Sequence, residues 1–384
     1  MQGNIAQALP PWQVTRAVLG WLEEDVPSMD IGGFVVGGEY ARFWQRHCLF
    51  PVAALYALYD MLLKFYFFLY ISDRKFSWAF FGEVFLSLHS TSYSAPACFH
   101  CYHPTETPTT ALLYGKSKGI LCGKVFFDAV FKALDCTVEW MEGMEDGAVL
   151  SPPVPSKATT YPNQGKQDET DREQSIKVHV ATVKGKARHI LLGERTALNI
   201  LTRASGIATI SRASVDIGRR AGWHGTIAGT RKTTPGFRMV EKYALLVGGA
   251  ATHRQDLSQM VMLKDNHVWS TGSITKAVKA ARGVGSFSIK IEVECQTLSQ
   301  AQEAGAAGAD VIMLDNFAPP QLKETAALVK SQYPHVVIEA SGGITTETLE
   351  EYFSPHVDVI SRGSLTQGYP ALDFSLKIVP LGTR

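Results

Sequence analysis

Asp310-Val-Ile-Met-Leu-Asp-Asn-Phe317 and Val336-Val-Ile-Glu-Ala-Ser-Gly-Gly343 decide how the second half of this chain reads. Each is a short apolar run that stops at a charge or a glycine pair. Related runs precede and follow them: Gly225-Thr-Ile-Ala-Gly-Thr-Arg-Lys-Thr-Thr-Pro-Gly-Phe-Arg238, Met260-Val-Met-Leu-Lys-Asp-Asn-His267, Ile289-Lys-Ile-Glu-Val-Glu294 and Val357-Asp-Val-Ile-Ser-Arg-Gly-Ser364. Helical patterns rich in Ala, Glu, Gln and Lys, such as residues 297–307 and 320–332, lie between most of them, and this alternation of strand and helix implies a parallel sheet. In β/α barrels the site is built where strands end at the C-terminal face. Arg231, Lys232, Lys264, Glu294, Asp315 and the Ser341-Gly342-Gly343 turn all fall at such ends.

Arg231, Lys232, Arg238, Arg254 and Lys264 would crowd one mouth with cations, which repel one another unless an anion binds there. The ligand should carry several negative charges, since arginine forks suit carboxylate or phosphate and lysine suits phosphate. The plainer reading makes some of them surface cations paired with Glu241, Asp256 or Asp265. In residues 289–294 strict alternation puts Lys290, Glu292 and Glu294 on one face, which must line something wet or charged unless this is an edge strand. Asp315 adds a second, independent carboxylate. Glu294 and Asp315 could bind sugar hydroxyls, hold a divalent cation, or stabilise positive charge on a sugar carbon. Ser341-Gly342-Gly343, with the helix-start pattern Thr345-Thr-Glu-Thr after it, and Ser361-Arg-Gly-Ser364 expose backbone amides suited to phosphate.

Together these stretches resemble the quinolinate phosphoribosyltransferase family. The likeness rests on Leu191-Leu-Gly-Glu-Arg-Thr-Ala-Leu-Asn199, Gly229-Thr-Arg-Lys-Thr-Thr-Pro-Gly-Phe-Arg238, Val247-Gly-Gly-Ala-Ala-Thr-His-Arg254, Lys264-Asp-Asn-His267, Glu292-Val-Glu-Cys295, Leu314-Asp-Asn-Phe317 and Glu339-Ala-Ser-Gly-Gly-Ile344. It is continuous from about residue 178 onward and resumes more weakly at 111–140 and 8–40. The resemblance implies an α/β fold: an N-terminal α/β-sandwich domain over residues 1–209, a six-stranded open β/α barrel over 210–367, and a tail, 368–384, returning to the first domain.

The implied reaction joins quinolinate to phosphoribosyl pyrophosphate and gives nicotinate mononucleotide, pyrophosphate and carbon dioxide, with Mg²⁺. Carried over by position, Arg231, His253, Arg254 and Lys264 would hold the quinolinate carboxylates, and Lys232 the diphosphate. Glu294 and Asp315 would contact ribose and, indirectly, the metal, while Ser341, Gly342, Gly343 and Gly363 would cradle the 5′-phosphate. Glu294, Asp315, Lys232 and Lys264 are the catalytic candidates. Arg195 would reach a partner's site, which makes a homodimer the minimal unit, with a hexamer as a larger alternative.

A net charge of +1 over 384 residues gives no bulk attraction to nucleic acid. Six scattered cysteines speak against a disulfide scaffold and for a reducing cytoplasm, and the N-terminus lacks the basic start and apolar core of a secretion signal. Two insertions depart from the family pattern, at about 42–108 and 151–175. The first contains an aromatic-rich apolar run, residues 49–71, interrupted by Asp60 and Lys64; at about 2.5 to 3.5 kcal/mol each near a bilayer centre, they argue against a membrane span. It reads as a buried or interfacial helix, or as translated non-coding sequence. Cys98, Cys101 and His103 are metal-ligand types without the second spaced pair a zinc site needs. The second insertion reads as a flexible linker. Two rival functions stay open: a phosphoribosyltransferase acting on nicotinate, and a non-catalytic isoform disrupted by the insertions.

Overall fold

The computed structural model describes residue 6 and residues 9–25, 108–151 and 177–380. The apolar run at 49–71 and the Cys98, Cys101 and His103 group lie outside the described residues, as does nearly all of the linker. Among the described residues no helix is long and apolar enough to cross a membrane.

The first layer is an antiparallel sheet in which β1 (Pro108–Gly115) lies between β12 (Phe374–Ile378) and β5 (Val178–Lys186), with β3 (Thr137–Trp140) on the outer edge of β5. Alternation in β1 sends Ala111 and Leu113 inward, where both are fully buried. α2 (Lys124–Ala133) packs against β3, and its Phe126, Phe127, Val130 and Phe131 form one buried stripe at helical spacing. α1 (Pro11–Asp25) adds Val14, Val18 and Leu22, spaced by four so that they share a face. The short strands β2 (Gly119–Ile120) and β4 (Val149–Leu150) pair beside this layer. Gly123 cannot cap α2 with a side chain, and Asp146 does so from a distance, accepting from the Gly123 and Lys124 amides at 2.9 and 3.2 Å.

Burial beside Trp140 pushes the Asp128 carboxyl up to about 6, although the indole N–H donates to it at 2.8 Å. Its folded pKa thus lies above the unfolded value of about 3.9, so Asp128 favours folding most at low pH and loses that contribution as pH rises from about 4 through 6. Asp128→Asn keeps an oxygen for Trp140 and removes the charge. At pH 7.5 it should gain about 1 to 3 kcal/mol and raise the melting temperature, with no gain at pH 4; an equal gain at both pH values would contradict this cause.

The long helix α3 (Ala187–Arg220) runs unbroken through residue 209 and joins the two layers. Small residues make it fit: a Cβ on Gly206 would lie 2.4 Å from the Pro370 carbonyl oxygen, so only glycine lets the chain pass there.

The second layer is wholly parallel and holds, in spatial order, β6 (Thr226–Ala228), β11 (Val359–Ser361), β10 (Val337–Ser341), β9 (Val311–Asp315), β8 (Ile291–Cys295) and β7 (Val261–Leu263). β6 and β7 stand at its two ends, so the barrel is open. The connecting helices are α4 (Arg238–Gly248), α5 (Asp265–Thr271), α6 (Ile274–Gly285), α7 (Leu298–Ala307), α8 (Pro319–Gln332) and α9 (Ser364–Gln367). At the N-terminal end, Asp310 accepts from the Ile291 amide at 2.7 Å and from Arg282 at 2.6 Å; Asp358 accepts from the Ile338 amide at 2.7 Å and from Lys330 at 2.8 Å. These contacts fix strand starts and leave the opposite end for chemistry.

Two sequence expectations change here. β8 lies between β7 and β9, so the edge-strand alternative fails. No α-helix follows Ser341-Gly342-Gly343: Thr345 and Thr348 bond to each other, and only a 3₁₀ turn, Leu349–Tyr352, forms. The amides of that turn owe their presentation to backbone shape, with φ of 94° at Gly342 and 65° at Gly343.

Candidate active site

The C-terminal strand ends surround a cavity of about 760 Å³. Arg231 and Lys232 enter from the turn after β6, and Lys264 from the residue after β7. Glu294 and Asp315 come from the ends of β8 and β9, while Ser341, Gly342 and Gly343 follow β10 and Gly363 follows β11. His253 and Arg254 come from the turn between α4 and β7. Of the residues that sequence placed at the site, Arg195 and Arg238 do not line this cavity; Arg195 sits exposed on α3.

Among the described residues, Arg231, Lys232 and Arg254 make no ion pair, whereas Lys264 pairs with Glu294. The acids that sequence offered as partners are otherwise engaged. Glu241 is fully buried and accepts from Arg203 Nε at 3.0 Å and from the Thr234 amide at 3.0 Å, which holds the turn after Lys232. Asp256 accepts from Ser258, and Asp265 from the Asn266 amide. Arg238 turns its Nε to Thr233 at 3.2 Å and stays outside the cavity.

Asp315 is raised by burial and then by the neighbouring Glu294 charge, against the pull of Lys264 and Lys232 and a hydrogen bond from Ser341. Its position is fixed across strands, because Ser341 lies opposite Asp315 in the β9–β10 register. Gly342 is obligatory for a second reason besides its φ: a Cβ there would stand 2.2 Å from Asn316 Oδ1.

His253 faces the protein rather than the cavity centre. Its Nδ1 accepts from the Arg254 amide at 2.7 Å, and its Nε2 lies 3.2 Å from Glu339 and 3.6 Å from Glu292. Burial opposes charge on the ring, but the two carboxylates outweigh it and raise the pKa to about 9. In the neutral ring Nδ1 accepts from the Arg254 amide and the Nε2 proton points at these acids; a second proton, which the two carboxylates favour, would sit on Nδ1 and break the Arg254 contact. His253 thereby anchors its own left-handed backbone, φ 57°, and the residue that follows.

Lys242 grips the same turn from behind. It is 2% exposed and donates to the Thr252 and Arg254 carbonyls, the latter at 3.1 Å. Burial, with Arg238, Arg231 and Arg254 nearby, lowers its pKa to about 8. Arg254 is aimed by the Met260 carbonyl at 3.1 Å and by Met262 Sδ at 3.6 Å, while its buried Nε has no partner. An unsatisfied buried guanidinium nitrogen beside a cavity fits an anionic ligand.

Sequence reading gave no role of their own to Lys242, Glu339 and Arg362, and placed Glu292 only on the polar face of its strand. Each is a charge inside or against an apolar run, as in Val336-Val-Ile-Glu-Ala340, and each is at most 3% exposed. That interruption was the available signal.

The arrangement has known counterparts. Family models described as Quinolinate phosphoribosyl transferase, N-terminal domain and C-terminal domain match residues 96–205 and 207–377. The chain is 51% identical over 271 residues to "Nicotinate-nucleotide pyrophosphorylase [carboxylating]" of Homo sapiens, covering 71% of this chain and 82% of that protein. It is 39% identical over 382 residues to the protein of the same name in Dictyostelium discoideum, covering 98% and 99%. The crystal structure of NadC from Streptococcus pyogenes, 28% identical, aligns with a TM-score of 0.66 over 97% of this chain and 99% of that one. With both domain models matched in order across the two layers, and the cation-lined cavity where the second layer's strands end, the chain belongs to the quinolinate phosphoribosyl transferase family.

Proposed function

We propose that the chain transfers a phosphoribosyl group from phosphoribosyl pyrophosphate to quinolinate and releases nicotinate mononucleotide, pyrophosphate and carbon dioxide. The observation that carries this is the unpaired set Arg231, Lys232 and Arg254 facing Glu294 and Asp315 in one cavity. A dicarboxylate and a diphosphate together supply the anions those cations lack, and the acids face the carbon that becomes positive.

Arg231, Arg254 and Lys264 orient quinolinate by its carboxylates, with His253 and Lys242 holding Arg254 from behind. Lys232 meets the diphosphate. The pyridine nitrogen lone pair forms the bond to the anomeric carbon as the bond from that carbon to diphosphate oxygen breaks, and Glu294 and Asp315 stabilise the positive charge that develops. No general base is needed. The carboxylate next to the quaternised nitrogen then leaves as carbon dioxide, its electron pair stays on the ring carbon, and a proton from water replaces it.

Mg²⁺ fits the two acids, since Glu294 raises the Asp315 carboxyl by repulsion that a nearby divalent cation removes. Glu294 and Asp315 would hold it indirectly, and when bound it neutralises charge on the leaving diphosphate. Arg195 completes a partner's site in a homodimer, the minimal unit, and its exposure on α3 leaves it free to do so. The buried, unpaired Cys122, Cys136 and Cys295 accord with a reducing, cytoplasmic setting.

The test compares quinolinate with nicotinate. Wild-type protein should consume quinolinate with release of one carbon dioxide per nucleotide formed, only when phosphoribosyl pyrophosphate is present. Arg231→Ala and Arg254→Ala should each weaken quinolinate about ten- to a hundredfold in calorimetric titration, and nicotinate much less, because each removes one fork from one carboxylate. Preference of the wild type for nicotinate would overturn the assignment, and equal losses for both ligands would move the arginines to the phosphates.

A further inference from the structure

Arg362 is 3% exposed, yet among the described residues its hydrogen-bond partners are all neutral. Its Nε donates to the Ile344 carbonyl at 3.1 Å, one terminal nitrogen to Ser214 Oγ at 2.7 Å and the other to Thr346 Oγ1 at 3.0 Å. That uses three of a guanidinium's five N–H groups. Arg362 forms no ion pair among the described residues. The acid that acts on it, Glu347, is fully solvent-exposed, and burial lowers the Arg362 pKa in spite of it. A guanidinium stays charged all the same, and a buried charge without a counterion is costly.

The hydroxyls on either side point to the same need. Ser361 Oγ and Ser364 Oγ are buried without a hydrogen-bond partner, and both line the cavity, flanking Gly363. One uncompensated cation and two unsatisfied hydroxyls therefore meet at a single turn. Because Arg362 also ties the Ile344 carbonyl, it fixes the spacing between this turn and Ser341-Gly342-Gly343 across from it. A group with a compact double negative charge and several acceptor oxygens answers all three deficits at once, and a phosphomonoester is such a group.

We propose that Ser361, Arg362 and Ser364 form the second wall of the phosphate cradle and select the phosphomonoester end of the phosphoribosyl substrate, with Arg362 supplying the permanent counter-charge and holding the two turns apart. This rests on the function proposed above, which places a ribose phosphate in the cavity, and it adds residues outside the Ser341-Gly342-Gly343 and Gly363 set.

Titration calorimetry with ribose 5-phosphate and, separately, with pyrophosphate tests it on the full chain. Arg362→Met keeps the stem volume and removes the charge. It should weaken ribose 5-phosphate about ten- to a hundredfold, raise KM for phosphoribosyl pyrophosphate by a similar factor with a much smaller fall in kcat, and leave pyrophosphate affinity near that of the wild type. The ligand-free melting temperature should not drop, because the variant removes an uncompensated buried charge. Arg362→Lys, which restores the charge, should recover part of the lost affinity. Should Arg362→Met fail to fold, the double variant Ser361→Ala with Ser364→Ala keeps the guanidinium and is expected to lose about tenfold for ribose 5-phosphate. Unchanged ribose 5-phosphate affinity in the folded variant overturns the proposal, as does a loss confined to pyrophosphate, which would assign the wall to the leaving group. Wild-type protein that binds neither ligand would sink the proposed function, and this inference with it.

Discussion

Glu294→Gln and Asp315→Asn each lower kcat by about 10²- to 10³-fold while quinolinate affinity changes far less. Both carboxylates stand at strand ends in the cavity, and in the reaction proposed above they face the carbon that loses its diphosphate, so their charge should matter most in the transition state. Their surroundings differ. Glu294 is paired with Lys264, and amidation there leaves that lysine as an unopposed cation beside the forming positive charge. Asp315 has only longer-range help from Lys264 and Lys232, with a hydrogen bond from Ser341. Glu294→Gln is therefore the more damaging of the two. Steady-state kinetics with both substrates varied will decide, and unchanged turnover in both variants would remove these acids from the chemistry.

Mixing inactive Arg195→Ala protein with inactive Lys264→Ala protein restores activity if Arg195 serves a neighbouring subunit. With full subunit exchange, half the dimers are mixed. Each mixed dimer holds one site with both residues intact and one with neither, so about a quarter of wild-type activity should return. The position of Arg195 supports this design: it lies on the exposed side of α3, well before the first barrel strand, and lines no part of its own chain's cavity. Native mass spectrometry will establish exchange. Exchange without recovered activity would mean that Arg195 acts within its own chain, and the dimer would lose its functional argument.

Much of the site could be read from sequence because of where its residues stand. Asp315 ends an unbroken apolar run, Lys264 follows another, and Arg231 and Lys232 precede a Thr-Thr-Pro-Gly turn. A charge at the end of a buried parallel strand has few places to go other than the barrel mouth, so position along the run gives position in space. His253 had no such signal and came from the resemblance alone; it lines the cavity, yet its ring nitrogens bond within the protein. Its neighbour Arg254 also lines the cavity, while the histidine's left-handed backbone brings the ring to Glu339, 86 residues away in the chain.

The buried charges show the other limit. A glutamate in Val336-Val-Ile-Glu-Ala340 or a lysine in Val240-Glu-Lys-Tyr-Ala-Leu-Leu-Val247 announces that a partner exists, since neither group can be buried alone. It does not announce which partner. Lys242 finds two backbone carbonyls, and Arg362 finds Ser214 across 148 residues.

By itself, then, the sequence determined the alternation of strand and helix, the parallel barrel and the strand-end residues that make a cation-lined site. These follow from periodicity and from the run ends, which are local properties of a chain that must bury apolar side chains. The tertiary structure alone decided which charges are paired and which are left for a ligand. It turned Arg238 away to Thr233, gave Glu241 to Arg203, closed His253 against Glu339 and left Arg362 without a counterion among the described residues. Those outcomes depend on how elements far apart in the chain meet, because a charge is satisfied by whatever lies within about 3 Å of it in space, wherever that group stands in the sequence.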